Sequence, residues 1–267
     1  MKIAFIGGGN MGEAMLTAIL GKKLAVNKDI AVIDISEARR HYLMQKYFVA
    51  VSANNLDSIL GKDIIILAIK PQTLHTVMAE MKGHIKPEQL VISIIAGARL
   101  NKLTEGLNHH IIVRSMPNTP AQIGEGVTVW TTTKEVTDEH KKTAGAILGA
   151  MGKEFYVSDE GMLDMATAVS GSGPAYLFYF IEAMTDAAVK IGLPREMVKE
   201  MVLGTVLGSS HLVAQSGKEP AELRKMVTSP GGTTAEAIQT FEKGNFSNLV
   251  YQAIKAAYEK SQKLGQG

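Results

Sequence analysis

The stretch that decides the fold is KIAFIGGGNMG, residues 2–12, in which a short apolar run leads directly into the spacing G-x-G-x-x-G. A buried strand that breaks at glycines and restarts as a helix leaves unpaired backbone N–H groups at the helix N-terminus, where a pyrophosphate can bind. In such a turn the first glycine permits the sharp bend, the second admits the ligand and the third lets the helix pack closely. We therefore predict a dinucleotide-binding turn. Its cofactor-binding residues are Gly7, Gly8, Gly9, Asn10, Met11 and Gly12.

The flanking sequence supports this interpretation over its alternative, an ordinary glycine-rich turn between a strand and a helix. An amphipathic run follows the glycines and stops at Gly21. A second apolar run, residues 30–33, ends at Asp34, 22 residues after Gly12. A Rossmann unit places the group that binds the adenosine ribose at this distance, so Asp34 is predicted to contact the cofactor.

Composition excludes several classes of function. The chain has 267 residues, enough for two domains, and its 28 basic and 26 acidic residues nearly balance without a long run of one sign. We therefore expect a small-molecule ligand and neither nucleic acid nor a membrane as partner. The absence of cysteine excludes disulfides, thiolate metal sites and cysteine nucleophiles, and the seven histidines are scattered, so no metal is predicted. The N-terminal apolar stretch is short for a signal sequence, which predicts a cytoplasmic protein.

The first half alternates between strand and helix patterns. The strands are predicted at residues 2–6, 30–33, 49–51, 63–68, 90–94, 111–113, 127–130 and 154–157. Between two of them, residues 36–46 predict a helix capped by Ser36, with Tyr42 and Leu43 facing inward. This alternation predicts an α/β fold, an N-terminal Rossmann-type doubly wound sheet.

Two strand ends should flank the nicotinamide, because open α/β sheets bind ligands at the carboxyl ends of their strands. One end is the loop at residues 68–71, where a small side chain leaves room for a ring, and the other lies at residues 96–97. The additional cofactor-binding predictions are Ala68, Ile69, Lys70, Pro71, Ala96 and Gly97.

The second half is helical. The domains are predicted as residues 1–158, the dinucleotide-binding Rossmann domain, and residues 159–267, an all-helical dimerisation and substrate domain. The helix that begins near Pro194 is apolar over too much of its circumference for one small domain to cover, which predicts a second subunit. Gly204 and Gly208, four residues apart, either let another helix approach closely or are merely tolerated.

A second glycine-rich turn, residues 229–234, is the candidate substrate site. Thr233 and Glu236 fit a capping box, which would occupy the Thr233 hydroxyl and leave that of Thr234 free. Backbone N–H groups at a helix N-terminus suit a carboxylate, although the local sequence taken alone favours a plain cap after a Pro-Gly turn.

Two motifs, VSGSGPAY at residues 169–176 and VTSPGGTT at residues 227–234, closely resemble those of the pyrroline-5-carboxylate reductases. The likeness covers nearly the whole chain and includes the glycine turn and the loop at residues 114–120. It implies reduction of 1-pyrroline-5-carboxylate to L-proline by hydride transfer from NADPH or NADH, the last step of proline biosynthesis. It also implies a homodimer, which in this family can assemble into a decamer of five dimers.

The resemblance also assigns residues. It implies that Asn54 contacts the cofactor and that Glu160 lies near the nicotinamide. The implied substrate-binding residues are Ser229, Gly231, Gly232, Thr233 and Thr234, and Thr234 is the predicted catalytic residue. A cyclic imine is protonated readily, so hydride addition needs proximity to the cofactor and a neighbour for the nitrogen rather than a strong acid.

Three questions stay open at the level of sequence. The Asp34 carboxylate should repel the 2′-phosphate of NADPH, whereas Ser36, Arg39 and Arg40 favour it, so the cofactor preference is undecided. A β-hydroxyacid dehydrogenase shares this kind of glycine turn, but residues 174–181 lack the lysine that such enzymes carry. A dinucleotide-binding regulator without turnover is the alternative from another class.

Overall fold

The protein is described here from a computed structural model, which defines residues 1–265 in full and the backbone of residue 266. Contacts divide the chain into two units, residues 1–172 with 257–267, and residues 173–256. The domain boundary expected after residue 158 remains a prediction, and the first unit defined by contacts extends past it.

The first unit contains an eight-stranded sheet. Its strands are β1 (Ile3–Ile6), β2 (Ile30–Ile33), β3 (Ala50–Ser52), β4 (Ile64–Leu67), β5 (Leu90–Ser93), β6 (Ile112–Met116), β7 (Gly126–Thr132) and β8 (Gly152–Tyr156). The spatial order is β3-β2-β1-β4-β5-β6-β7-β8. Neighbouring strands are parallel except β6 and β7, which pair antiparallel. The predicted Rossmann-type sheet is confirmed, and its strand order reverses direction between β1 and β4.

Helices cover this sheet. They are α1 (Asn10–Gly21), α2 (Glu37–Tyr47), α3 (Asn55–Ile59), α4 (Leu74–Met81), α5 (Leu100–Leu107), α6 (Asp138–Gly149) and α7 (Gly161–Ala166). Two apolar clusters lie between sheet and helices; Phe5 belongs to one cluster and Ile6 to the other, because successive side chains of a strand point to opposite faces. The buried strands are therefore apolar on both faces, as a parallel sheet requires.

The second unit is helical, as expected. It holds α8 (Gly173–Lys190), α9 (Arg195–Ser216), α10 (Pro220–Met226), α11 (Thr233–Lys243) and the first half of α12 (Phe246–Gln266). Among the described residues 173–256, only Val198 and Val202 are fully buried. No other part of the described chain comes within 4 Å of a side chain placed at Gly204 or Gly208. The helical unit thus exposes much of its apolar surface.

Three local predictions are wrong for identifiable reasons. Tyr42 is 40% exposed rather than inward, because its hydroxyl donates to Glu13 Oε1 while Leu43 fills the core. β6 continues past the predicted end at Val113, so Arg114 lies within a strand. Thr233 is the first helical residue of α11 and Gly232 its N-cap, so the capping box does not form.

Candidate functional site

The glycine turn after β1 has the backbone geometry that its sequence predicts. Gly7 has φ +102°, and a Cβ there would lie 2.5 Å from the Ala68 carbonyl oxygen. A Cβ at Gly12 would lie 2.6 Å from the Gly7 carbonyl oxygen, so α1 can pack against the turn only without a side chain there. A Cβ at Gly9 would meet nothing within 4 Å, which leaves this backbone open to a ligand.

The N-terminus of α1 suits a pyrophosphate. Gly9 is the N-cap residue and has no side chain with which to satisfy the first N–H groups of the helix. Asn10 is exposed and Met11 half-buried in the first turn that follows. These residues therefore fit the phosphates of a dinucleotide, because unpaired N–H groups and the helix dipole both favour an anion.

A cleft of about 610 Å³ opens beside this turn at the reversal of strand order. It brings together the predicted residues Gly7, Gly9, Asp34, Ala68, Ile69 and Lys70. Ile35, also in its lining, is 91% exposed and offers an apolar surface of the kind on which an adenine ring can rest. The cleft thus joins a phosphate-binding end to an apolar wall, as a dinucleotide requires.

Asp34 is fixed at the edge of the cleft by backbone groups. Its Oδ2 accepts a hydrogen bond from the Gly8 N–H at 3.0 Å, and its Oδ1 accepts one from the Ser36 N–H at 2.9 Å. Asn54, by contrast, caps α3, since its Oδ1 accepts from the Leu56 N–H at 2.9 Å. Ser36, Asn54 and Pro71 do not line the cleft within the described part of the chain.

The second strand end expected at the nicotinamide, Ala96 and Gly97, is followed by residues that a largely buried ionic network fixes. The sequence did not predict this network. Arg114, 4% exposed, donates to Glu160 Oε1 at 2.7 Å, and the same oxygen accepts from the Leu100 N–H at 2.8 Å. Glu160 therefore fixes the start of α5, which follows residues 96–97 closely in the chain.

The same network continues to the end of α12. Asp164, 2% exposed, accepts from Arg99 at 3.1 Å and from the Ser261 hydroxyl at 2.8 Å. Gly97 has φ +74°, and a Cβ there would lie 3.0 Å from the Leu264 carbonyl oxygen. The only sequence signal for this network was an arginine directly after the apolar residues 111–113, which we assigned to a loop.

A second missed cluster surrounds Glu13 in the first turn of α1. Its carboxylate accepts hydrogen bonds from Arg39, Lys46, Tyr42 and Tyr47 of α2. Burial, the largest single influence, raises the pKa of Glu13, but the four hydrogen bonds together outweigh it and lower the pKa to about 2. The signal in the sequence was the pairing of an acidic helix start with a basic following helix.

The predicted substrate turn in the second unit has a different character. Gly231 has φ +69°, and a Cβ there would meet nothing within 4 Å. The Gly232 N–H donates to the Ser229 carbonyl at 3.1 Å, which closes the turn just before α11. Thr234, half-buried, lies in the first turn of α11, and no side chain caps the first N–H groups of this helix.

The motif at residues 169–176 begins in an irregular helix. Residues Thr167–Gly171 form a π-helical turn, and the Asn118 side chain donates to the Ser170 carbonyl at 3.0 Å while accepting from the Val127 N–H at 2.8 Å. Single π-helical turns are rare and concentrate at functional sites. The motif is thus anchored to the sheet by one buried amide.

The fold and the glycine-turn cleft define a class, the dinucleotide-dependent oxidoreductases with a Rossmann domain. A family model described as "NADP oxidoreductase coenzyme F420-dependent" matches residues 2–97, and one described as "Pyrroline-5-carboxylate reductase dimerisation" matches residues 160–264. The chain is 40% identical over 266 residues to a pyrroline-5-carboxylate reductase of Synechocystis sp., covering 100% of this chain and 99% of that protein. It is 37% identical to a pyrroline-5-carboxylate reductase of Pseudomonas aeruginosa, covering 99% of this chain and 97% of that protein.

Solved structures agree. A pyrroline-5-carboxylate reductase from Coxiella burnetii superposes with a TM-score of 0.90 at 33% identity, covering 98% of each chain. The Plasmodium falciparum pyrroline carboxylate reductase with NADP bound superposes with a TM-score of 0.89 at 34% identity, covering 99% of this chain and 98% of that one. The chain therefore belongs to the pyrroline-5-carboxylate reductase family, whose members reduce the C=N bond of 1-pyrroline-5-carboxylate with NAD(P)H in the final step of proline biosynthesis.

Proposed function

We propose that the chain reduces 1-pyrroline-5-carboxylate to L-proline with the residue roles given below. The observation that carries these roles is the pair of glycine turns, one at the N-terminus of α1 and one at the N-terminus of α11. Each presents backbone N–H groups that a side chain does not cap, and so each suits an anionic part of one reactant.

The turn before α1 holds the cofactor pyrophosphate, and Asp34 holds the adenosine ribose. Bound NAD(P)H supplies the hydride that adds to the imine carbon. In the segments 68–71 and 96–97, the small residues Ala68, Ala96 and Gly97 provide the surface against which the nicotinamide is positioned. Glu160 fixes the second of these segments through the Leu100 N–H and is itself held by Arg114.

The turn before α11 holds the substrate. The N–H groups of Thr233 and Thr234, with the Ser229 hydroxyl, bind the carboxylate at the positive end of the helix dipole, while the Gly232 N–H closes the turn. The Thr234 hydroxyl hydrogen-bonds the ring nitrogen, orients the C=N bond and assists its protonation. Because this nitrogen is basic, a hydroxyl in place of a carboxylic acid is sufficient.

We also propose a homodimer formed through the apolar faces of α8 and α9, with the decamer of five dimers as the larger assembly. The exposed residues that support this are Leu177, Phe178, Tyr179, Met197, Met201, Leu203, Leu207 and Leu212. So many exposed apolar side chains on two helices mark an interaction surface. Light scattering after size exclusion distinguishes one, two and ten copies of the chain.

The cytoplasm is the compartment that we propose, following the sequence-based expectation. No helix of the described residues is both long and apolar enough to span a membrane. Cell fractionation with an antibody to the native chain tests the compartment, and recovery of the protein with an organelle or membrane fraction would contradict it.

A spectrophotometric assay tests the activity. Purified protein should oxidise NADH or NADPH, measured by the loss of absorbance of each separately, only when 1-pyrroline-5-carboxylate is supplied. Proline should be the product. Binding of either cofactor without imine-dependent oxidation would instead indicate a regulator without turnover.

A further inference from the structure

The end of β2 carries the groups that distinguish NADH from NADPH, since these differ only by a phosphate on the adenosine 2′-oxygen. Asp34 opposes a phosphate there, whereas Arg39 and Arg40 could neutralise one. The sequence places all three within seven residues and does not decide between them. The structure shows where each charge is directed.

Asp34 remains directed into the cleft. Each of its carboxylate oxygens accepts one backbone N–H, from Gly8 or Ser36, and an ionised carboxylate has about four acceptor positions in all. It therefore keeps the capacity to accept a hydrogen bond from a ribose hydroxyl. A 2′-phosphate at the same position would face a fixed negative charge at close range.

Arg39 does not line the cleft within the described part of the chain, and its guanidinium bonds groups of the protein. Its Nη2 donates to Glu13 Oε2, its Nε donates to the Gly8 carbonyl, and its guanidinium lies 5.0 Å from the centre of the Tyr42 ring. Its side chain is only 24% exposed. The guanidinium of Arg39 is thus paired with a carboxylate, and two of its five N–H donors are engaged within the protein.

Arg40 is engaged by the turn itself. Its Nη1 donates to the carbonyl oxygens of Asp34 at 2.7 Å and Ile35 at 3.0 Å. These two hydrogen bonds stabilise the turn that carries Asp34. These bonds attach Arg40 to the backbone of the same turn that carries the opposing carboxylate.

We propose that Glu13 is a specificity-determining residue that acts through Arg39, holding this arginine away from the ribose and leaving Asp34 to select NADH over NADPH. The inference rests on the proposed function, because it concerns the cofactor of the same site. Glu13 is a positioning residue here, since it contacts Arg39 and α2 rather than the adenosine ribose.

Calorimetric titration of the full chain with NADH and with NADPH tests the preference without any turnover. We expect NADPH to bind at least about tenfold more weakly than NADH, because like charges brought together at a binding site are strongly unfavourable. Asp34→Ser should reduce the difference to about threefold or less. Equal or tighter binding of NADPH by the wild type would overturn the inference, whereas binding of neither would contradict the proposed function.

Variants of the Glu13 cluster test the mechanism. Glu13→Gln should lower the Kd for NADPH about threefold or more while the Kd for NADH stays within about twofold, because Arg39 is released. Adding Arg39→Ala to Glu13→Gln should remove that gain. A gain that persists without Arg39 would show that only the lost negative charge matters and would overturn the assignment.

Two controls keep the test decisive. Glu37→Gln removes an exposed carboxylate from the first turn of α2 and should leave both Kd values unchanged. Arg39→Ala alone should leave the ratio of the two Kd values unchanged, because Arg39 does not serve a phosphate in the wild type. A selective loss of NADPH binding in Arg39→Ala would overturn the proposal even if Glu13→Gln failed to fold.

Discussion

The two glycine turns of this protein differ in what surrounds them. At the turn after β1, Gly7 and Gly12 are required by atoms of the same unit that a side chain would strike. At the turn before α11, Gly231 has the same left-handed backbone but open space around it. A Cβ at Gly232 would lie 2.6 Å from the Ser229 Oγ, an atom of the same turn. The comparison teaches that the cofactor turn is constrained by packing against β4 and α1, whereas the substrate turn is constrained only by its own residues.

The largest effect is expected from Gly7→Ala. The new methyl group combines a positive φ with a 2.5 Å contact to the Ala68 carbonyl, so the turn must move. We expect cofactor binding to weaken by about 10²-fold or more, which corresponds to about 2.7 kcal/mol. Gly21→Ala is the matched control. Gly21 is the last residue of α1, a Cβ there would meet nothing within 4 Å, and the variant should bind cofactor normally. Normal titration of NADH by Gly7→Ala would show that packing does not define this turn.

Thr234→Ala should give the next largest effect. Loss of the hydroxyl that orients and assists protonation of the ring nitrogen should lower kcat by about 10²-fold, with cofactor Kd unchanged. Thr234→Ser should restore most of the rate. Thr240→Ala removes a hydroxyl that bonds the Glu236 carbonyl on the same helix, and it should leave kcat unchanged. Unchanged kcat and KM in Thr234→Ala would remove this residue from the mechanism.

Gly231→Ala sharpens the comparison directly, because it repeats the backbone strain of Gly7→Ala without the clash. A non-glycine residue in the left-handed region costs about 1–2 kcal/mol. We therefore expect KM for the imine acid to rise by less than tenfold while cofactor binding is unaffected. Steady-state kinetics measures both, and a loss as large as that of Gly7→Ala would mean that the second turn is also constrained by packing.

The smallest effect concerns acid stability of the first unit. The folded pKa of Glu13 is about 2, below its usual value of 4.5, so its contribution is present above pH 4.5 and is lost as the pH falls toward 2. Because the cluster is partly exposed, solvent screening reduces this contribution to about 1 kcal/mol. Denaturant unfolding at several pH values should show that the free energy of unfolding falls less steeply toward acid pH in Glu13→Gln than in the wild type. Parallel curves for the two proteins would contradict the assigned pKa.

Sequence reasoning predicted most of the first unit correctly. Apolar runs and glycine positions gave the parallel strands of the Rossmann sheet, and the spacing from Gly12 to Asp34 placed an acidic residue in the cleft. It was wrong about Tyr42, Arg114 and the cap of α11. Each of these depends on a partner outside the local pattern or on a shift of one residue at an element boundary, which periodicity does not resolve.

The sequence by itself determined the family, the order of strands and helices, and the two glycine-rich turns, because these depend on residue type and short-range spacing. The tertiary structure alone decided which charges meet. Glu13 and Arg39 are 26 residues apart in the chain, and Ser261 and Asp164 are 97 apart. Such pairs form only when the packed core brings distant segments together, and in a low-dielectric interior a buried charge requires its partner.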